Sequence, residues 1–181
     1  MSHKNTLSNE IIANTGVNSA RCYQCGKCSA GCPLADDMDF TSNTVMRMLQ
    51  VEDEETDRAL LQSETIWLCV SCETCISRCP MEIDIPQVMD YLRQKSIREN
   101  LQNKRAAKNI IPFHRSFLDS VRYTGRLYEV GLIAGYKART LNLLQDLNIA
   151  PRMFMKGKLP LFPEMIKGKK QMSNIFKKMK K

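Results

Sequence analysis

Residues 80–181 contain no cysteine at all, so any thiol chemistry is confined to the first half of this 181-residue chain, between Cys22 and Cys79. No G-x-G-x-x-G follows a strand pattern, which excludes the usual dinucleotide fingerprint for a bound FAD or NAD. No positively charged, apolar, small-residue sequence opens the chain, so a secretory signal is not expected. The longest uncharged apolar stretch of the second half, Val130 to Tyr136, is far too short to span a bilayer. Gly and Pro are not enriched and 43% of residues are hydrophobic, so most of the chain is expected to fold. These absences point to a reducing, cytoplasmic setting, where eight disulfide-forming cysteines would be out of place. Their thiolates are then available for metal.

The net charge of +8 conceals an asymmetry. Residues 1–103 carry 9 Lys/Arg against 15 Asp/Glu, a balance of −6, and residues 104–181 carry 18 against 4, a balance of +14. Two parts are expected: a cysteine-bearing domain over 1–103 and a helical, basic, partner-docking extension over 104–181.

The cysteines form one pattern written twice, Cys22-Tyr-Gln-Cys25-Gly-Lys-Cys28-Ser-Ala-Gly-Cys32-Pro33 and Cys69-Val-Ser-Cys72-Glu-Thr-Cys75-Ile-Ser-Arg-Cys79-Pro80, offset by 47 residues. C-x2-C-x2-C-x3-C-P is the ligand run of bacterial two-cluster ferredoxins, in which the fourth cysteine serves the other cluster. Three closely spaced cysteines curl around one cubane, and the fourth, followed by Pro, points away. Two [4Fe–4S] clusters are therefore expected, one on Cys22, Cys25, Cys28 and Cys79, the other on Cys69, Cys72, Cys75 and Cys32. Structural zinc is usually held by two separated pairs, which this is not. His3 and His114 fall outside any ligand spacing.

Around these motifs the sequence reads as helices. Leu7 to Asn14 has helical spacing with Ser8 as a cap and Gly16 as a terminator, Ser42 caps a helix through Leu49, and Glu52 to Asp57 suit the first turn of another. Ser63 is expected to cap Thr65 to Leu68, which delivers Cys69. Asp84 with Pro86 starts a helix whose apolar face is Val88, Met89, Leu92 and Ile97. Further helices are expected from Ile110 to Val121, Leu127 to Ala138 and Leu141 to Leu147, with a Lys-rich end ordered only on a partner. Helices in the 36-residue gap between motifs predict an α-helical ferredoxin rather than the β-rich small type. Lys27 in the first motif and Glu73 in the second point to cluster one as the easier to reduce. Trp67 reads as core packing and Tyr23 as a shield against water.

With no terminal site for substrate chemistry, the chain reads as an electron conduit and not as a self-sufficient enzyme. Arg21 to Pro33, preceded by Asn14-Thr-Gly-Val-Asn18, with Cys79-Pro-Met-Glu-Ile-Asp-Ile-Pro86 and Gly125-Arg-Leu-Tyr-Glu129, resembles the C-type subunit of heterodisulfide reductase. The resemblance implies a soluble complex in which a flavin-bearing A-type subunit passes electrons through the C-type one to a B-type subunit. The B-type subunit would reduce the coenzyme M–coenzyme B heterodisulfide. Only the eight cysteines transfer as functional positions. Iron–sulfur subunits of glycolate, glycerol-3-phosphate or fumarate-type enzymes, and a free ferredoxin-like carrier, are the alternatives. Nucleic acid and membrane are not expected partners.

Overall fold

In the computed structural model, residues 6–141, 150–157 and 162–178 are described. His3 and most of the helix expected over Leu141 to Leu147 lie outside them. Among the described residues there are helices and no strands. The chain divides into two compact units, Met1–Ala106 and Ala107–Lys181.

The first unit contains α1 (Leu7–Thr15), α2 (Lys27–Ala30), α3 (Ser42–Val51), α4 (Glu54–Leu61), α5 (Thr65–Leu68), α6 (Thr74–Ser77) and α7 (Ile85–Arg98). Local chemistry sets most boundaries. Thr6 caps α1 by accepting from the Asn9 amide, and Gly16, at φ +75°, closes it. Asp53 caps α4 through the Thr56 amide, and Asp84 caps α7 through Gln87 with Pro86 in the first turn.

Apolar residues at helical spacing on α3 (Val45, Met46, Leu49) and α7 (Val88, Met89, Leu92) lie fully buried with Ile11, Leu60 and Ile66, forming the core. Ile97 does not join that face and is 38% exposed. The stripe continues instead to Ser96, four residues after Leu92, whose buried hydroxyl donates to the Leu61 carbonyl at 2.8 Å. Glu10 of α1 accepts from Tyr91 (3.1 Å) and pairs with Lys95 (2.5 Å), holding α1 against α7.

The second unit contains α8 (Ile111–Thr124), α9 (Glu129–Thr140), α10 (Ala150–Met155) and α11 (Lys169–Lys178). The basic end, expected to await a partner, thus forms a helix over Lys169–Lys178. α8 packs on α9 and α11. Its buried line is Ile111, Ser116, Ser120 and Thr124, while Phe117 (37%) and Leu118 (51%) are exposed. Small hydroxyl side chains allow close approach: Ser116 sits under Gly135, and the Ser120 hydroxyl accepts from the Tyr128 amide at 2.8 Å. Arg139 adds an ion pair to Asp119 (2.5 Å) and a bond to Ser116 Oγ (2.8 Å).

Gly125 ends α8 at φ +84°, and a Cβ there would meet the Ile166 side chain. Gly125→Ala is expected to destabilise the second unit by about 1–2 kcal/mol, the left-handed penalty for an L-residue. Faster hydrogen exchange in the last turn of α8, with the first unit unchanged, is the corresponding measurement.

Candidate iron–sulfur site

The two cysteine motifs repeat in backbone as well as in sequence. Gln24 (φ 62°) and Ser71 (φ 51°) are left-handed, as are Gly26 (φ 75°) and Glu73 (φ 61°), each pair separated by the motif offset. Alternating left-handed residues curl the chain so that successive amides face one concavity, an arrangement suited to anionic groups including iron–sulfur centres. At Glu73 the conformation costs about 1 kcal/mol, which Gly26 avoids. Each curl ends in a one-turn helix, α2 with Cys28 and α6 with Cys75, and α2 packs on α6.

All eight cysteines are free. Cys32, the last of the first motif, lines one cavity together with Cys69, Cys72 and Cys75 of the second. Pro33, Leu34, Ile85 and Pro86 contribute its apolar wall. The Tyr23 hydroxyl is raised by local desolvation, then by hydrogen bonding to Cys25, and by the charges of Cys25, Cys79 and Cys22. Tyr23 is 59% exposed, so it covers its own motif without sealing it.

Thiol electrostatics follow burial. Burial pushes the Cys75 thiol up to about 11, with Cys69 and Cys28 adding to the rise. Burial likewise raises Cys28, opposed by Ser29, with Cys22 contributing. Cys72 is lowered by hydrogen bonding with Thr74. Further polar contacts to sulfur come from Gln24 Nε2 to Cys22 (3.4 Å) and the Ile83 amide to Cys79 (3.5 Å).

Among the described residues no three His, Cys, Asp or Glu side chains converge on a position for a single metal ion. Thiolates on one tetrahedral zinc stand about 3.8 Å apart, from Zn–S near 2.3 Å. Ligands of four different irons in a cubane stand further apart. The donor set, eight free thiols in two repeated curls with four of them around one cavity, fits cubane clusters.

The elements that deliver these cysteines are secured from a distance. Ser63 does not cap α5; its hydroxyl is buried without a hydrogen-bond partner. Asp39 does so from 25 residues upstream, accepting from the Glu64 and Thr65 amides (both 2.8 Å) and the Thr65 hydroxyl. Burial alone would raise the Asp39 carboxyl, but these bonds and that from the Phe40 amide outweigh it and hold it below its ordinary value. Trp67, on α5, is 7% exposed and packs in the core.

Residues 18–83 match the 4Fe-4S dicluster domain family. The chain is 36% identical over 102 residues to the C-type subunit of the ferredoxin:CoB-CoM heterodisulfide reductase of Methanosarcina acetivorans, covering 56% of this chain and 40% of that protein. It is 30% identical over 97 residues to a C-type iron–sulfur subunit of the CoB–CoM heterodisulfide reductase of Methanocaldococcus jannaschii, covering 51% and 49%. A second Methanosarcina acetivorans protein, the C-type subunit of a ferredoxin/F(420)H(2)-dependent CoB-CoM heterodisulfide reductase, is 28% identical over 117 residues, covering 64% and 65%. The chain thus spans less than two thirds of the length of each of these relatives.

Proposed function

We propose that this chain, an iron–sulfur protein similar to the C-type subunits of heterodisulfide reductases, is an electron-transfer subunit that relays electrons between two partners. The partners are a flavin-bearing subunit and one that reduces the coenzyme M–coenzyme B heterodisulfide. Cys22, Cys25, Cys28 and Cys79 hold one [4Fe–4S] cluster, and Cys69, Cys72, Cys75 and Cys32 hold the other. Such clusters supply one-electron storage, at a potential set by charge and hydrogen bonds nearby.

The observation that carries this reading is how exposure is distributed over the cysteines. The second cysteine of each motif, Cys25 or Cys72, is the exposed one, whereas Cys28 is buried and Cys75 half-buried on α2 and α6, which pack together. Each half of the site thus has its most exposed ligand at the surface and a less exposed one beside the other half, an arrangement suited to a relay between two partners. Residues 104–181 act as the partner-docking extension: basic overall, with exposed apolar side chains such as Phe117, Leu118 and Phe162. No described helix is long and apolar enough to cross a membrane. The complex is assigned to the cytoplasm on other grounds, the reducing setting that eight free thiolates need.

Anaerobic purification of the native chain at high salt provides the test. A flavoprotein and a second cysteine-rich protein are expected to remain bound, with iron and sulfide in proportion to two clusters. Recovery of a stable monomer that shuttles electrons between separate enzymes would replace this reading with that of a free carrier.

A further inference from the structure

Equivalent carbonyl pairs of the two motifs are gripped by two unlike side chains. In the first, Gln50 Nε2 donates to the Ser19 carbonyl at 2.9 Å and to the Cys22 carbonyl at 2.7 Å. At the same offset of 47 residues, Arg93 Nε donates to the Ile66 carbonyl and Arg93 Nη2 to the Cys69 carbonyl at 2.5 Å. Gln50 projects from α3, the long helix after the first motif, and Arg93 from α7, the long helix after the second. The two do not correspond by the repeat, which would pair Gln50 with Ile97. Different positions thus perform one task on the first cysteine of each motif, and they differ in charge.

We infer that Gln50 and Arg93 are matched positioning residues for the first ligand of each cluster, and that the charge of Arg93 gives the cluster bound by Cys69 the higher potential. The inference rests on the two-cluster reading above. A guanidinium is protonated at every accessible pH, and the Arg93 side chain is only 17% exposed. Reduction adds negative charge, which a nearby cation stabilises, the more so away from water.

The opposing groups are weaker. Asp90 pairs with Arg93 at 2.8 Å but is 54% exposed, so water screens it more than the guanidinium. Lys27 and Glu73, and the cations Arg21 beside Cys22 and Arg78 beside Cys79 and over Gly31, are all exposed, where solvent and salt mute them. Neutral hydrogen bonds involve sulfur in both motifs, donated by Gln24 to Cys22 in one and by the Cys72 thiol to Thr74 in the other. The resulting order is the reverse of that expected from Lys27 and Glu73.

The experiment is an EPR-monitored redox titration of the full chain carrying its clusters, alongside iron and sulfide analysis. The signal lost in Cys72→Ser identifies the cluster of the second motif. In wild type that signal is expected to appear at the higher potential. Arg93→Gln, which keeps a donor but removes the charge, is expected to shift its oxidised-to-reduced ratio at fixed potential about tenfold toward the oxidised form. For one electron that is about 59 mV. Arg93→Lys should restore much of the shift, and Asp90→Asn should move the signal the opposite way. Gln50→Ala should disturb only the other cluster. Full iron content with an unmoved potential in Arg93→Gln would overturn the inference, as would Arg93→Lys behaving like Arg93→Gln. A wild-type chain holding fewer than two clusters would overturn the two-cluster reading instead.

Discussion

Replacing Cys32 with Ser is expected to remove the cluster of the second motif and leave that of the first intact. Cys32 belongs by sequence to the first motif, yet it lines the cavity that holds Cys69, Cys72 and Cys75. Iron per chain should fall by about half, since each cubane contributes four irons. The reciprocal change, Cys79→Ser, should remove the other cluster, as the crossed ligation requires. Double variants separate crossed from local ligation. If ligation is crossed, Cys32→Ser combined with Cys72→Ser strikes one cluster twice, and about half the iron remains. Local ligation would place the two changes in different clusters, and loss of both signals in that double variant would refute the crossed assignment.

Asp39→Ala is expected to destabilise the first unit by about 2 kcal/mol, through loss of charge-assisted hydrogen bonds to the start of α5. Exposure of part of the carboxylate to solvent keeps the figure from being larger. The fully buried Thr65 also loses an acceptor for its hydroxyl, although its bond to the Phe40 carbonyl at 2.7 Å survives. Because α5 runs directly into Cys69, cluster occupancy in the second motif should fall before that in the first.

The carboxyl titrates lower in the folded chain than in the unfolded one. Its contribution is therefore complete above the unfolded value of about 4 and disappears as pH falls through the lower folded value. Denaturant unfolding of the cluster-loaded protein at neutral pH measures the loss; the acid limb is left out of it because protonation of sulfide and thiolate dismantles the clusters there. Equal stability of wild type and Asp39→Ala at neutral pH would show that α5 needs no such cap.

Much of the helical framework was legible because its signals are local. Asp84 and Pro86 mark the start of α7, Gly16 marks the end of α1, and the acidic run after Val51 surrounds the start of α4. The misreadings share a physical origin. A hydroxyl before Thr65 suggests a Ser63 cap, but a carboxylate from the segment before α3, two helices upstream, takes the amides. Ile97 looked like part of the α7 face because it is apolar, but helical geometry put Ser96 there and left Ile97 half in solvent. On α8 the helix was legible but its buried side was not: Ile111, Ser116, Ser120 and Thr124 are buried, with Ser116 under Gly135 of α9, while Phe117 and Leu118 stay exposed.

By itself, the sequence determined the double cysteine motif, its helical surroundings and the division of charge, because ligand spacing, caps and composition act over a few residues. Only the tertiary structure could decide which side chains stand beside the cysteines from far along the chain. Gln50 and Arg93 occupy no equivalent place in the repeat, so no periodicity connects them. They become a pair because α3 and α7 each pack back over their own motif. The charge that orders the two clusters in our proposal therefore comes from helix packing, and the exposed Lys27 and Glu73 inside the motifs pointed the other way.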